Sequence, residues 1–132
     1  QFRQSVYDEL SRLVGDLPPT KVLMFCNSSR IAQALHQCLC ANNVPAGIIT
    51  GKDSKKVKEK ELHRFIHGDM EVLVGTASIA TGTDGIDKVS DLLILVDDTD
   101  DESLRRQIIG RILPRGADTD ASKKVIYRLT FV

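Results

Sequence analysis

The stretch that decides the fold is KVLMFC at residues 21–26, followed by NSSRIAQALHQCLC at residues 27–40. The first six residues are almost all apolar, which is typical of a strand buried on both faces of a sheet. In the second part Ser28 or Ser29 can cap a helix. Its apolar residues then follow at helical spacing: Ile31, Ala34, Leu35, Cys38 and Leu39. A buried strand joined to an amphipathic helix is the repeating unit of a parallel sheet covered by helices.

The same alternation continues on both sides of this unit. Short apolar runs predict strands at residues 46–50, 71–74, 92–96 and 124–132. Helical patterns cover residues 2–14, residues 54–67, and a segment that Asp100 or Asp101 caps and that runs to about residue 113. We therefore expect one α/β domain over residues 1–132, with a mainly parallel sheet and helices on both faces. In such sheets ligands bind at the carboxyl ends of the strands.

The charge of the chain is balanced. Lys and Arg total 18, Asp and Glu total 18, and the formal net charge is zero. Binding to nucleic acid, if it occurs, must therefore come from local features. One helix is rich in lysines, but Glu59 and Glu61 lie among them and the charges spread around the helix, so we interpret it as a solvated face. The lysines concerned are Lys52, Lys55, Lys56, Lys58 and Lys60.

The three cysteines show no disulfide framework spacing, which favours a reduced, intracellular protein. No apolar run approaches the length of a membrane span, so no membrane partner is expected. The chain begins with Gln1 rather than Met. We therefore expect a domain excised from a longer protein.

A complete nucleotide-hydrolysing site is not visible in the sequence. The nearest approach to a P-loop places only three residues between Gly47 and Gly51, and Asp53 instead of a hydroxyl residue follows Lys52. The acidic run at residues 97–101 is interpreted as a solvated turn with a helix cap, so no metal site is predicted. The chain thus lacks the groups needed to bind and hydrolyse a nucleotide unaided.

Two other segments carry the signs of phosphate chemistry. Residues 75–87 (GTASIATGTDGID) form a loop rich in Gly and Thr, which lets a backbone approach phosphates closely. Residues 107–116 (QIIGRILPRG) place a glutamine and two arginines at the end of a helix-like run. Arginines held on a helix and aimed into a cleft stabilise charge in phosphoryl transfer.

The order KVLMFCNSSR, IITGK, EVLVGTASIATGTDGID and QIIGRILPRG resembles the second RecA-like domain of superfamily 2 helicases and translocases. The resemblance covers the chain from about Lys21 to the closing strand, with three segments similar to motifs IV, V and VI. It implies a RecA-like three-layer sandwich that serves as the second motor lobe of an ATP-dependent enzyme. ATP and Mg²⁺ would be bound mainly by an absent N-terminal RecA-like domain of the same parent chain.

The resemblance also implies contacts with nucleic acid. Ser28 and Arg30 would lie near its phosphates after the first strand, where a helix N-terminus favours an anion. Gly51 would let the backbone approach the polymer. Thr76, with help from Ser78, would hydrogen-bond a backbone phosphate without reading sequence. For two of these residues a purely structural role stays open, since Ser28 suits a helix cap and Gly51 a simple turn.

For the nucleotide, the resemblance implies that Gly82 and Asp84 match the G-x-D of motif V. Asp84 would face the ribose or position motif VI, and a turn cap is its alternative role. Gln107 and Arg111 are four residues apart and share a helical face. Arg111 would reach across an interdomain cleft to the γ-phosphate of ATP.

The second half of motif VI departs from the family pattern Q-x-x-G-R-x-x-R-x-G. Pro114 occupies the second arginine position, and Arg115 comes one residue late. Arg115 either takes the catalytic role through a shifted backbone or faces solvent. This departure favours an alternative, a non-catalytic α/β binding module with the helicase fold. A flavodoxin-like domain is a third hypothesis, although no G-x-G-x-x-G is present. Within the motor hypothesis, the G-R-I-L sequence slightly favours DNA over RNA.

Overall fold

The computed structural model describes residues 21–80, 85–97, 99–112 and 125–128. In chain order its strands are β1 (Lys21–Cys26), β2 (Ala46–Ile49), β3 (Val72–Gly75), β4 (Ser90–Asp97) and β5 (Val125–Arg128). Its helices are α1 (Ser29–Ala41), α2 (Lys55–His67), α3 (Ile86–Val89) and α4 (Glu102–Ile112). A single 3₁₀ turn, Ala77–Ala80, follows β3 within these ranges.

The five strands form one sheet in the order β2-β3-β1-β4-β5, and every paired strand is parallel. The alternation of side chains along each strand divides the core into two layers. On one face Val22 and Met24 pack with Leu35 and Leu39 of α1. On the other face Leu23 of β1 packs in a cluster with side chains of the remaining helices and of the 3₁₀ turn, namely Phe65, Ile79, Ile86 and Ile108. Helices therefore cover both faces, which confirms the expected three-layer α/β sandwich.

The ends of the elements follow local signals in the sequence. Ser54 caps α2, because its side-chain oxygen accepts a hydrogen bond from the Val57 amide at 3.2 Å. Asp101 caps α4 in the same way, with the Leu104 amide 3.1 Å from its Oδ1. β1 has the bounds that the sequence predicts, and β5 lies inside the predicted segment 124–132. The predicted helix at residues 2–14 lies outside the described residues.

Several strand boundaries differ from the prediction by one or two residues, among them the starts of β3 and β4. β3 begins at Val72, one residue late, and the Glu71 and Val72 amides both donate to the Pro45 carbonyl, at 2.7 Å and 3.2 Å. β4 starts two residues early, at Ser90, a fully buried polar residue whose hydroxyl donates to the Lys21 carbonyl at 2.7 Å. This side-chain bond satisfies a polar group that would otherwise be costly to bury.

Candidate functional site

The predicted nucleic-acid residues share one edge of the sheet. Parallel strands all end on the same side, and β2, β3 and β1 are direct neighbours. The loops that follow these strands carry Gly51, then Thr76 with Ser78, then Ser28. The structure thus brings together four residues that are spread over 50 positions of sequence, from Ser28 to Ser78. Arg30 is exposed in the first turn of α1, on the same side of the sheet.

The turn after β3 is held close to β2. The Thr76 amide donates to the Ile49 carbonyl at 3.2 Å, and Thr76 is only 6% exposed. Its hydroxyl lies 3.4 Å from that of Ser78, which is also 3.5 Å from the same Ile49 carbonyl. Two hydroxyls are therefore close together at the edge. The Ser78 hydroxyl donates to the Ile49 carbonyl, and a hydroxyl that rotates away from such a bond can donate to a phosphate oxygen without preference for a base.

The turn after β2 is closed by its own polar groups. The Thr50 amide donates to Asp53 Oδ2 at 2.8 Å, and the Asp53 amide returns a bond to the Thr50 carbonyl at 3.1 Å. Gly51 lies between them, exposed, without a positive φ. A methyl group added there would meet no described atom within 4 Å. Neither backbone conformation nor packing against the described residues requires a glycine, so the turn alone does not explain Gly51.

Contacts of the loop after β1 change the interpretation of the acidic run at residues 97–101, interpreted from the sequence alone as a solvated turn with a helix cap. Ser28 is the N-cap residue of α1, but its side chain makes no capping hydrogen bond. Asp97, at the end of β4, instead accepts a bond from the Ser28 amide at 3.0 Å, and its carbonyl accepts from Asn27 at 2.8 Å. The acidic run is thus not simply a solvated turn and a helix cap, since its first residue ties two loops together. The anion at this helix N-terminus is the protein's own carboxylate.

Asp97 also affects a buried thiol. Cys26 is fully buried at the end of β1. Burial, and to a lesser extent the negative charge of Asp97, raises the pKa of the Cys26 thiol far above its ordinary value. This thiol therefore stays protonated and unreactive in the folded protein.

Helix α4 is packed against the turn that carries the two hydroxyls. Ile108 of α4 is fully buried in the same cluster as Ile79 and Ala80 of the 3₁₀ turn. Gln107 is exposed on this helix, and Arg111 lies one turn further along it. The side chain of Arg111, and the whole of Gly82, Asp84 and Arg115, lie outside the described residues.

One residue at this edge was wrongly assigned from the sequence. Lys58 belongs to the lysine-rich helix that we interpreted as a solvated face, yet its ammonium group donates a hydrogen bond to the Ser78 carbonyl. Lys58 is half-buried, whereas Lys55, Lys56 and Lys60 are exposed as expected. No local pattern in the sequence distinguishes Lys58 from its neighbours, because its partner is 20 residues away along the chain.

The described part of the chain contains no group of three or more His, Cys, Asp or Glu side chains arranged to hold a metal ion. Across the same residues, no helix combines the length and apolar character needed to cross a membrane.

The strand order, the helices on both faces and the polar edge define an α/β domain of the RecA-like class. Residues 5–116 match the family model of the helicase conserved C-terminal domain, so the chain belongs to that family. A sequence relative is the ATP-dependent RNA helicase RhlB of Vibrio cholerae, 31% identical over 73 residues. The match covers 55% of this chain and 17% of the relative, so the chain corresponds to a small part of that enzyme.

Solved structures show the same fold at low sequence identity. The C-terminal domain of Dbp5 from S. cerevisiae has a TM-score of 0.74 at 19% identity, covering 95% of this chain and 68% of that one. The helicase Lhr of Mycobacterium smegmatis, bound to ssDNA and AMP-PNP, has a TM-score of 0.67 at 23% identity. That match covers 95% of this chain and 16% of Lhr. Because both identities lie below 25%, these structures show the fold alone.

Proposed function

We propose that this chain is the second motor lobe of an ATP-dependent nucleic-acid helicase or translocase. The observation that carries the proposal is the edge where the loops after β2, β3 and β1 lie side by side. It combines an exposed glycine with room around it, two hydroxyls 3.4 Å apart and an exposed arginine in the first turn of α1. These groups suit a sugar–phosphate backbone, since none of them selects a base.

The polymer would pass along this edge. Thr76 and Ser78 would donate hydrogen bonds to one phosphate, and the backbone at Gly51 would approach the chain closely because no side chain stands there. At the loop after β1, the Ser28 hydroxyl and Arg30 would make the contacts. The Ser28 amide would not contact the polymer, because it already donates its hydrogen bond to Asp97.

The nucleotide would contact α4. Gln107 is exposed, and Arg111 follows four residues later in the same helix, a spacing that places two positions on one helical face. Such a pair fits the phosphates of an ATP molecule held by another lobe. Gly82 and Asp84 would complete this side of the nucleotide site. Arg115 would be a further candidate cation. ATP with Mg²⁺ would supply the phosphoryl group whose hydrolysis drives lobe closure and reopening. This chain, which has no P-loop, would supply charge stabilisation and half of the polymer track.

The choice of polymer belongs to the same proposal. The sequence relative named above is an RNA helicase, whereas the G-R-I-L segment slightly favours DNA. Both polymers should therefore be compared in the same assay.

The decisive experiment is the ATPase activity of the full-length parent protein, alone and with single-stranded RNA or DNA. We expect one polymer to stimulate the wild type, and Arg111→Ala to lower kcat by at least about a hundredfold, in line with loss of a transition-state cation. The isolated chain should hydrolyse no ATP. Normal turnover by Arg111→Ala, or robust turnover by the isolated chain, would contradict the proposal.

The alternative is a non-catalytic α/β module that binds nucleic acid or protein with the helicase fold. The observation that favours it is Pro114 in the second arginine position of motif VI. This alternative function predicts that the parent protein binds its polymer normally. It also predicts that neither the wild type nor Arg111→Ala hydrolyses ATP.

A further inference from the structure

Lys58 contacts the turn on which the proposed polymer site depends. Its ammonium group donates to the Ser78 carbonyl, which lies between the hydroxyl-bearing Ser78 side chain and the fully buried Ile79. The position of Lys58 is itself fixed. Ser54 caps α2, and the Lys58 amide donates to the Ser54 carbonyl at 3.0 Å in the first turn of the helix. The cation is thus held between a capped helix and the β3 turn.

The turn is restrained by several contacts. The Ile49 carbonyl accepts the Thr76 amide bond, the Ile79 side chain is anchored in the core, and Lys58 binds the Ser78 carbonyl. The Thr76 bond acts directly before the turn, and the Ile79 side chain acts within it. The Lys58 bond acts on the peptide plane between Ser78 and Ile79, whose amide also donates to the Thr76 carbonyl at 3.0 Å, and so on the direction of the Ser78 side chain. Without it that plane loses one of its restraints, and the two hydroxyls need not stay 3.4 Å apart.

We propose that Lys58 is a positioning residue, which holds the Thr76–Ser78 turn in the geometry that binds nucleic acid and does not itself neutralise a phosphate. This inference rests on the proposed function and adds a residue that the sequence motifs do not include. The half-burial of Lys58 supports it, since the neighbouring lysines of α2 are exposed and only Lys58 among them is directed at a backbone carbonyl in the described contacts.

Salt dependence separates positioning from direct contact. A lysine that neutralises a phosphate contributes roughly 0.7–0.9 to the slope of log affinity against log salt concentration. A lysine that only positions a turn contributes to affinity and leaves this slope unchanged. The two roles therefore predict the same direction of affinity change but different salt slopes.

The test uses the full-length parent protein, a labelled single-stranded oligonucleotide as RNA and as DNA, and fluorescence anisotropy over a salt series. Lys58→Met removes the donor and keeps the aliphatic length. We expect it to weaken binding roughly tenfold, the order of one charge-assisted hydrogen bond, with an unchanged salt slope. Lys58→Arg keeps a donor and a charge and should restore most of the affinity. Lys56→Met, an exposed lysine of the same helix, is the matched control for loss of charge alone.

Two further variants and one further measurement keep the outcomes distinct. Thr76→Val and Ser78→Ala remove the hydroxyls themselves. If they leave binding unchanged, the proposed function fails at this site. If they weaken binding while Lys58→Met does not, only the positioning role is overturned. A salt slope that falls by about one in Lys58→Met would show a direct phosphate contact instead. Hydrogen exchange at residues 76–80 should accelerate in Lys58→Met, and unchanged exchange there would also overturn the inference.

Discussion

Gly75 offers a sharp test of how the β3 turn is built. It is the last residue of β3 and stands directly before Thr76. A methyl group at this position would lie 2.2 Å from Cγ2 of Ile79 and 3.0 Å from its Cδ1. Carbon atoms in contact normally stay about 3.5–4.0 Å apart, so the Cγ2 methyl would have to move by roughly 1.5 Å. Ile79 is fully buried and has no free volume at the surface to move into.

We therefore expect Gly75→Ala to destabilise the fold. Overpacking a well-packed core typically costs about 1–3 kcal/mol. The loss of chain entropy in the unfolded state returns about 0.4–1 kcal/mol, because alanine has fewer accessible conformations than glycine. The net cost should be about 1–2 kcal/mol, which corresponds to a fall in Tm of roughly 3–10 °C for a domain of this size.

A double-mutant cycle assigns the cost to the contact with Ile79. Urea unfolding of the 132-residue chain is measured for wild type, Gly75→Ala, Ile79→Ala and the double variant. Ile79→Ala creates a cavity and is itself destabilising, by about 2–5 kcal/mol. In that background only the Cβ atom of residue 79, at 3.3 Å, stays close to the added methyl group, so Gly75→Ala should cost much less than in the wild type. An equal cost of Gly75→Ala in both backgrounds would refute the steric argument.

Three further predictions follow from local geometry. Gly51→Ala should keep or raise stability, by up to about 1 kcal/mol, yet weaken polymer binding several-fold; equal anisotropy titrations of both proteins would count against a close backbone approach. Gly110→Ala should stabilise α4 by about 0.5–1 kcal/mol in thermal unfolding, since no described atom lies within 4 Å of the added methyl group. In the parent protein it should lower the ATPase rate, because the methyl group would stand where the proposed other lobe packs. A parent with unchanged ATPase would show that no lobe packs there. Cys40 is exposed and should be alkylated first, whereas the raised pKa of Cys26 keeps its thiol protonated as pH rises, so mass mapping should find Cys26 modified only after unfolding.

The elements with strong local signals could be predicted from the sequence. β1 is six residues long, five of which are apolar and buried, and α2 starts directly after its capping serine. These segments were predictable because short apolar runs, helical spacing and caps are properties of neighbouring residues. The edge that gathers the proposed site was also predictable, since parallel strands must all end on the same side.

The missed features depend on contacts between distant residues. The 3₁₀ turn and α3 lie in the Gly- and Thr-rich loop, where single apolar residues, Ile79 and Ile86, insert into the core without any periodicity. Asp97 binds the Ser28 amide across 69 residues of chain. A charged residue with a distant partner has the same local pattern as a charged residue in solvent, so the sequence alone favours the solvated interpretation for both Asp97 and Lys58.

The packing of α4 against the β3 turn bears on how the two proposed sites would communicate. Ile108 lies on α4 directly after Gln107, and Ile79 lies directly after Ser78, and both isoleucines are buried in one cluster. Cores packed at protein density transmit displacement instead of absorbing it. A shift of α4 towards a nucleotide would therefore act on the turn that carries the polymer-binding hydroxyls, with no intervening loop. Because linkage is reciprocal, polymer bound at Thr76 and Ser78 should favour the same position of α4 that ATP favours.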